Sequence, residues 1–356
     1  MPRLHPRPSE LSRPLVVRCG ALGDMVLLTA LIRDLSRAFG SDVDIVSSGP
    51  WSEPLLRAQP GVGHVWSVRS RKAPYWLSPD QRRLVRALRA RGVGPTWFCD
   101  GNDAARHMLR RVDIPEEFIV DVKDHPLLPG EHATQQWRRL ARVMPAAIPA
   151  AAESGVPAGS GGCFLRINEA QHRDLVSWLT SRKLLAARLI AIQMGNKRTM
   201  RRGLRRLAAN HKHWPLERWV SVLQHLRRRH PDHAIVLLGT GPESILNREL
   251  IMSAEISGLH NLADELTVPR VAALLARADG LVTVDSGPAH VAAAVGCPQV
   301  VLFGKGLTSL YRPWGISGAD VKVLTGELEG EVTMLGIAPE AVTAAWDTLA
   351  LREPQL

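Results

Sequence analysis

From Leu15 onward, short apolar runs rich in Val, Ile and Leu alternate with longer amphipathic runs. That alternation dictates βαβ units on parallel sheets, because a parallel neighbour needs a crossover and a helix supplies it. The first unit begins with Leu15-Val-Val-Arg-Cys19, the loop Gly20-Ala-Leu-Gly-Asp24, and a helix with apolar residues at Leu28, Leu31, Ile32, Leu35 and Phe39. Further strands are expected at 43–47, 64–68, 96–100 and 118–122, with a helix at 79–91. Residues 145–162 turn to Pro, Ala, Gly and Ser, a composition suited to a surface loop or linker.

Beyond that stretch a helix is expected at 169–185, and the alternation resumes with strands at 188–193, 234–238, 259–261, 280–284 and 299–303. Helices are expected at 216–229, 243–256, 269–278, from 289, and at 339–351. At 356 residues the chain exceeds one ordinary core, and a prior of roughly 150 residues per domain gives two. The expected division is 1–183, 184–338, and a C-terminal helix and tail at 339–356. Two doubly wound halves carry ligand loops at the carboxyl ends of their strands, an arrangement that predicts a cleft between two facing Rossmann-like domains.

Four segments carry chemistry. Asp285-Ser-Gly-Pro-Ala-His290 follows the run Gly280-Leu-Val-Thr-Val284 and opens a helix. Unpaired N–H groups and a partial positive charge at a helix start favour phosphate, and small residues let it approach the main chain. Ser286 and His290 are expected to face the same spot. Asp24 reads either as a helix cap or, facing the cleft, as a general base. Asn210-His-Lys-His-Trp-Pro215 leads into an amphipathic helix, with Trp214 and Trp219 as core anchors and Lys212 as either a solvated lysine or a diphosphate partner. Residues 196–212 hold seven Lys or Arg, either a solvated charge run or a phosphate contact.

Two resemblances to nucleotide motifs fail. Leu238-Gly-Thr-Gly-Pro-Glu243 has Ser244 where the dinucleotide fingerprint needs its third glycine, which disfavours a nicotinamide oxidoreductase. Phe303-Gly-Lys-Gly306 has glycine where a P-loop needs Ser or Thr. The formal charge of +11 draws the chain toward phosphorylated substrates, anionic membranes or nucleic acid. No nucleic-acid motif or aromatic interleaving accompanies it, so a nucleic-acid-binding protein is the disfavoured alternative class. No run reaches the roughly 18 apolar residues of a membrane span, so membrane contact is expected to be peripheral. The scattered Cys19, Cys99, Cys163 and Cys297 are expected to be reduced thiols in a cytoplasmic protein without structural zinc.

Taken together, Val17-Arg-Cys-Gly-Ala-Leu-Gly-Asp-Met-Val-Leu-Leu-Thr29, Lys212-His-Trp-Pro215 and Asp285-Ser-Gly-Pro-Ala-His290 resemble the ADP-heptose:lipopolysaccharide heptosyltransferases, the family 9 glycosyltransferases. The resemblance runs nearly the whole chain. It implies a GT-B fold, with donor nucleotide held mostly by the second domain and acceptor by the first, and an inverting transfer with no obligatory cofactor or metal. The donor would be ADP-heptose and the acceptor an anionic lipopolysaccharide core, met at the inner face of the inner membrane. By the same resemblance Asp24 is the catalytic base and Lys212 contacts the donor phosphates. Gly239, Gly241, Glu243, Asp285, Ser286, Gly287 and His290 bind donor, with Glu243 at the ribose. A related transferase with another nucleotide sugar or a protein acceptor is the nearest alternative. The chain departs from the family pattern at Ala30 and Lys305, where Pro is common, and in a longer basic loop before Lys212.

Overall fold

The computed structural model describes residues 11–69, 73–148, 161–196, 212–306, 308–315 and 318–352. The basic loop 197–211 and most of the Pro/Ala/Gly-rich stretch lie outside these residues. The chain divides into two compact units, Met1–Ser160 and Gly161–Leu356.

The first unit holds the strands β1 (Leu15–Val17), β2 (Val43–Ser48), β3 (Val62–Val68), β4 (Thr96–Phe98) and β5 (Ile119–Asp121). They form one parallel sheet in the order β3-β2-β1-β4-β5. The second unit holds β6 (Leu189–Gln193), β7 (Ala234–Leu237), β8 (Leu259–Asn261), β9 (Gly280–Val284), β10 (Gln299–Phe303) and β11 (Val321–Thr325). These are parallel in the order β11-β10-β9-β6-β7-β8. In each sheet the chain builds outward from its first strand, then crosses to that strand's other side. The order therefore reverses between β1 and β4 and between β6 and β9, and loops leaving such a switch point diverge and leave room for a ligand.

Strands buried on both faces need continuous apolar sequence, and β1, β6, β9 and β10 have it. Ile190, Ile192, Val282, Val284, Val300 and Leu302 point to one side, where Trp214, Trp219 and Trp346 close the core. Val301 and Phe303 alternate to the other side against Ala289. Burying each such aliphatic chain contributes about 1.5–3 kcal/mol, so the sheets rather than the loops carry the stability.

The expected boundary at residue 183 moves to 160/161. Helix Glu169–Ser181 packs on helix Val268–Arg277, and the Arg270 guanidinium donates to both Asp174 oxygens at 2.8 Å. That helix ends at Ser181 rather than 185, because Lys183 turns left-handed at φ 57°. Helix Pro339–Asp347 is likewise part of the second core rather than a tail, with Trp346 buried and bonded through Nε1 to His230. Among the described residues four helices escape the sequence reading, the four-residue Thr308–Tyr311 and three others. Ser52–Leu56 is too short to show a period, whereas Asp103–Arg110 and Ala133–Leu140 start on Asn102 and His132 caps. The edge strand β11 also escapes it, being only half-buried.

Candidate functional site

The two switch points and the loop after β7 carry the residues singled out by sequence. In the first unit the glycine loop is shorter than expected. Helix Leu22–Leu27 begins inside it, so Asp24 stands in the first helical turn instead of ahead of the helix. Its Oδ2 accepts the N–H of Ala21, the residue preceding the helix, at 2.8 Å. Its Oδ1 accepts from Arg18 Nη2 at 3.2 Å. A carboxylate here satisfies one orphan N–H and favours the helix dipole. Asp24 is thus a cap, yet it keeps 35% of its side-chain surface exposed, which leaves lone pairs open to a substrate.

The switch is tied across its two strands. Arg18 leaves β1 and donates through Nη1 to Cys99 O beyond β4 at 2.7 Å, and Cys19 N–H donates to Asp100 Oδ2 at 2.9 Å. The Arg18 guanidinium also lies 5.5 Å over the Trp137 ring. These contacts fix the loop that aims Asp24. Gly20 is required, since a Cβ there would stand 2.5 Å from Asp24 Cβ. Arg18 and Asp100 were not identified as site residues from sequence. Their only sequence signal is that each closes a strand at the point where the order reverses.

In the second unit β9 ends at Val284 and helix Gly287–Ala294 starts after Ser286. Ser286 adopts an extended N-cap conformation, φ −150° and ψ 166°, but its hydroxyl does not cap the helix. It pairs instead with Thr283 Oγ1 at 3.0 Å. Ser286 thus leaves the first-turn amides without its hydroxyl, and a helix N-terminus that its N-cap side chain does not cover suits an anion. Lys212 reaches this point. Its ammonium forms an ion pair with the Asp285 carboxylate and lies 3.4 Å from Asp285 O. Trp214 holds the lysine's segment in place: its ring is buried edge-on to Trp219 at 5.1 Å, and its Nε1 donates to Ile337 O at 3.0 Å. The two tryptophans are core anchors as expected, and that anchoring positions Lys212.

Gly239 and Gly241 follow β7. Gly239 has φ +152°, a conformation that suits glycine, and Asp264 N donates to its carbonyl at 3.0 Å. Glu243 is 4% exposed. Its Oε2 accepts from Thr240 N at 2.7 Å and from Thr240 Oγ1 at 2.8 Å, and its Oε1 lies 3.3 Å from Gln193 Nε2 at the end of β6. The carboxylate therefore braces the β6 and β7 loops against each other. Gln193 and Thr283, two buried polar residues at strand ends, escaped the sequence reading because an apolar strand pattern hides them.

Lys212, Asp285, Ser286 and Gly287 thus come together at one switch point, with Gly239, Gly241 and Glu243 on the neighbouring strand end. His290 closes the first helical turn and is buried, 6% exposed. Lys305 pairs with Glu331 of the hairpin beyond β11. The four cysteines are unbridged and buried, and burial pushes the Cys297 thiol up to about 12.

A family model described as glycosyltransferase family 9 (heptosyltransferase) matches residues 204–328, which include the Lys212, Glu243 and Asp285 segments. Lipopolysaccharide heptosyltransferase 2 of Salmonella typhimurium is 27% identical over 332 residues, 88% of each chain. The chain is similar to glycosyltransferase family 9 over that stretch and to a heptosyltransferase along most of its length. Lipopolysaccharide heptosyltransferase 3 of Escherichia coli is 32% identical over 106 residues, a match covering 29% of this chain and 30% of that relative. Among solved structures, a family 9 glycosyl transferase from Veillonella parvula aligns with a TM-score of 0.75 at 19% identity, covering 95% of this chain and 97% of that one. The E. coli ADP-heptose LPS heptosyltransferase II aligns at 0.71 with 18% identity, over 95% and 98%. The chain accordingly has the two-domain, parallel-sheet α/β architecture of GT-B heptosyltransferases.

Proposed function

We propose that this protein is a family 9 glycosyltransferase that moves a heptose from ADP-heptose to a sugar hydroxyl of a lipopolysaccharide inner core, inverting the anomeric centre. The observation that carries the reading is Lys212, held by Asp285 beside an uncapped helix N-terminus at the β6/β9 switch point. Supporting it are the 27% identity with lipopolysaccharide heptosyltransferase 2 over 88% of the chain and the fold shared with an E. coli heptosyltransferase solved with ADP, at a TM-score of 0.69.

In this mechanism the acceptor hydroxyl attacks the anomeric carbon from the face opposite ADP. Asp24 takes the proton, and charge grows on the departing diphosphate. Lys212 and the first amides of helix Gly287–Ala294 stabilise that charge more in the transition state than in the ground state. Gly239, Gly241 and Glu243 shape the nucleoside end of the site, with Glu243 acting at the ribose through the loop it braces. The reaction needs no metal, so chelator leaves the rate unchanged. The net charge of +11 suits a phosphorylated acceptor met at the cytoplasmic face of the inner membrane.

Calorimetric titration with ADP-heptose, ADP, UDP-glucose and GDP-mannose, on wild type and Lys212→Ala, tests the donor. Selective binding of the adenine nucleotides that weakens in the variant supports the reading. Preferential binding of a uridine or guanosine sugar overturns the donor, and no binding at all overturns the enzyme reading of the site.

A further inference from the structure

We propose that the Tyr75–Leu77 turn and the arginines around it dock the first unit on an anionic lipid surface, an inference that rests on the reading of a membrane-borne acceptor. Trp76 and Leu77 are side by side with 70% and 59% of their surface exposed. Exposed apolar residues are ordinary when single, but an adjacent Trp and Leu on a fixed turn present an insertion point suited to a bilayer interface. Two hydrogen bonds shape the turn. Leu77 N–H donates to Pro74 O at 3.0 Å, and Gln81 Nε2 reaches Ala73 O at 3.0 Å.

Positive charge surrounds this apolar tip. Arg82 Nη1 donates to Trp76 O at 2.8 Å, and the Arg111 guanidinium stacks 4.3 Å from the Tyr75 ring centre. Tyr75, Arg82 and Arg86 line a hollow of about 410 Å³. Arg82 and Arg86 sit four residues apart on helix Pro79–Arg91, a spacing at which like charges repel and weaken the helix. Among the described residues none of Arg82, Arg86 and Arg111 pairs with a carboxylate, whereas Arg89 on the same helix is answered by Asp113 and Arg69 by Asp80. Unanswered guanidiniums beside an exposed Trp fit phosphate headgroups with the indole at the interface below them.

Topology gives the surface its use. The turn lies on the segment leaving the carboxyl end of β3, and Asp24 lies on the loop leaving the carboxyl end of β1. Because β1, β2 and β3 are parallel, both segments leave the same edge of one sheet. A bilayer bound at the turn would present its headgroup sugars on the side of the unit that carries Asp24.

The test is cosedimentation of the full chain with phosphatidylglycerol/phosphatidylethanolamine vesicles and with phosphatidylcholine vesicles, without substrate. Wild type is expected to bind the anionic vesicles selectively and to be released by salt. Arg82→Gln/Arg86→Gln should weaken binding roughly tenfold or more, and Trp76→Ser/Leu77→Ser should also weaken it. Both variants should keep the wild-type melting temperature and the wild-type turnover on a deacylated, soluble acceptor. Unchanged vesicle binding in both variants overturns the surface assignment, as does equal wild-type binding to the two vesicle types. Binding of oligonucleotides in place of vesicles also overturns it. Failure of the heptosyl-transfer reading appears separately, as absence of turnover by wild type on soluble acceptor.

Discussion

The two switch points share a topology but use it differently. At β1/β4 the loop is braced by Arg18 and Asp100, which reach across to the neighbouring strand's main chain and loop, and the braced residue, Asp24, remains partly exposed. At β6/β9 the cation and the carboxylate meet each other, Lys212 on Asp285, and the helix start beside them has no side-chain cap. The first arrangement aims a carboxylate, and the second keeps a cation and main-chain amides together for an anion. The shared fold supplies two places for chemistry, and the residues at each strand end decide which chemistry it is.

The comparison breaks most visibly at Asp24. Asp24→Asn keeps an acceptor for the Ala21 N–H but removes the base, so turnover should fall about 10²–10⁴-fold with little change in melting temperature. Wild-type turnover in a steady-state assay would leave Asp24 as a cap alone. Lys212→Ala removes a charge-assisted contact to the diphosphate, worth about 1.5–3 kcal/mol. ADP affinity measured by calorimetry should therefore drop roughly 10–100-fold, while the first unit is untouched.

Glu243 sharpens the comparison. If the residue mainly braces the β6 and β7 loops, Glu243→Ala leaves the Thr240 N–H and hydroxyl without their acceptor and lowers stability by about 1–3 kcal/mol. A denaturant titration reads this directly. Wild-type stability with weakened ADP binding would instead mark a direct ribose contact.

The smallest effect is with pH. Burial, then His233 and nearby arginines, push the His230 imidazole down to about 4 from 6.5, and His213 and His260 are lowered by burial too. A histidine whose folded pKa is depressed binds its proton more readily when unfolded. Stability is therefore full above 6.5 and is lost as pH falls toward 4. Protonation would also end the bond His230 Nε2 accepts from Trp346 Nε1 at 3.0 Å. Hydrogen exchange at pH 7 and pH 5 should show the second unit opening more readily at the lower pH, with the difference reduced in His230→Asn.

Much of this architecture was legible in the sequence, and the reasons are local. The runs at 216–229, 259–261, 280–284 and 299–303 match the observed elements residue for residue, because apolar period and flanking breakers act within a few residues. Boundaries that depend on distant partners were not legible. Helix Glu169–Ser181 joins the second unit because Asp174 meets Arg270, 96 positions away. The helix at Asp24 begins two residues before it, at Leu22, and only the folded geometry of Ala21 and Gly20 reveals it.

By itself the sequence determined the fold class, the strand-end location of the phosphate-favouring loops, and the pairing of small residues with a helix start. These depend on hydrophobic period and on backbone groups that every helix N-terminus exposes. Only the tertiary structure decided that Lys212 rests on Asp285, that Glu243 turns inward to Thr240 and Gln193, and that Arg18 and Asp100 brace the loop of Asp24. Hydrogen bonds and ion pairs are short-ranged and directional. Their partners are fixed only when parallel strands far apart in the chain are laid side by side.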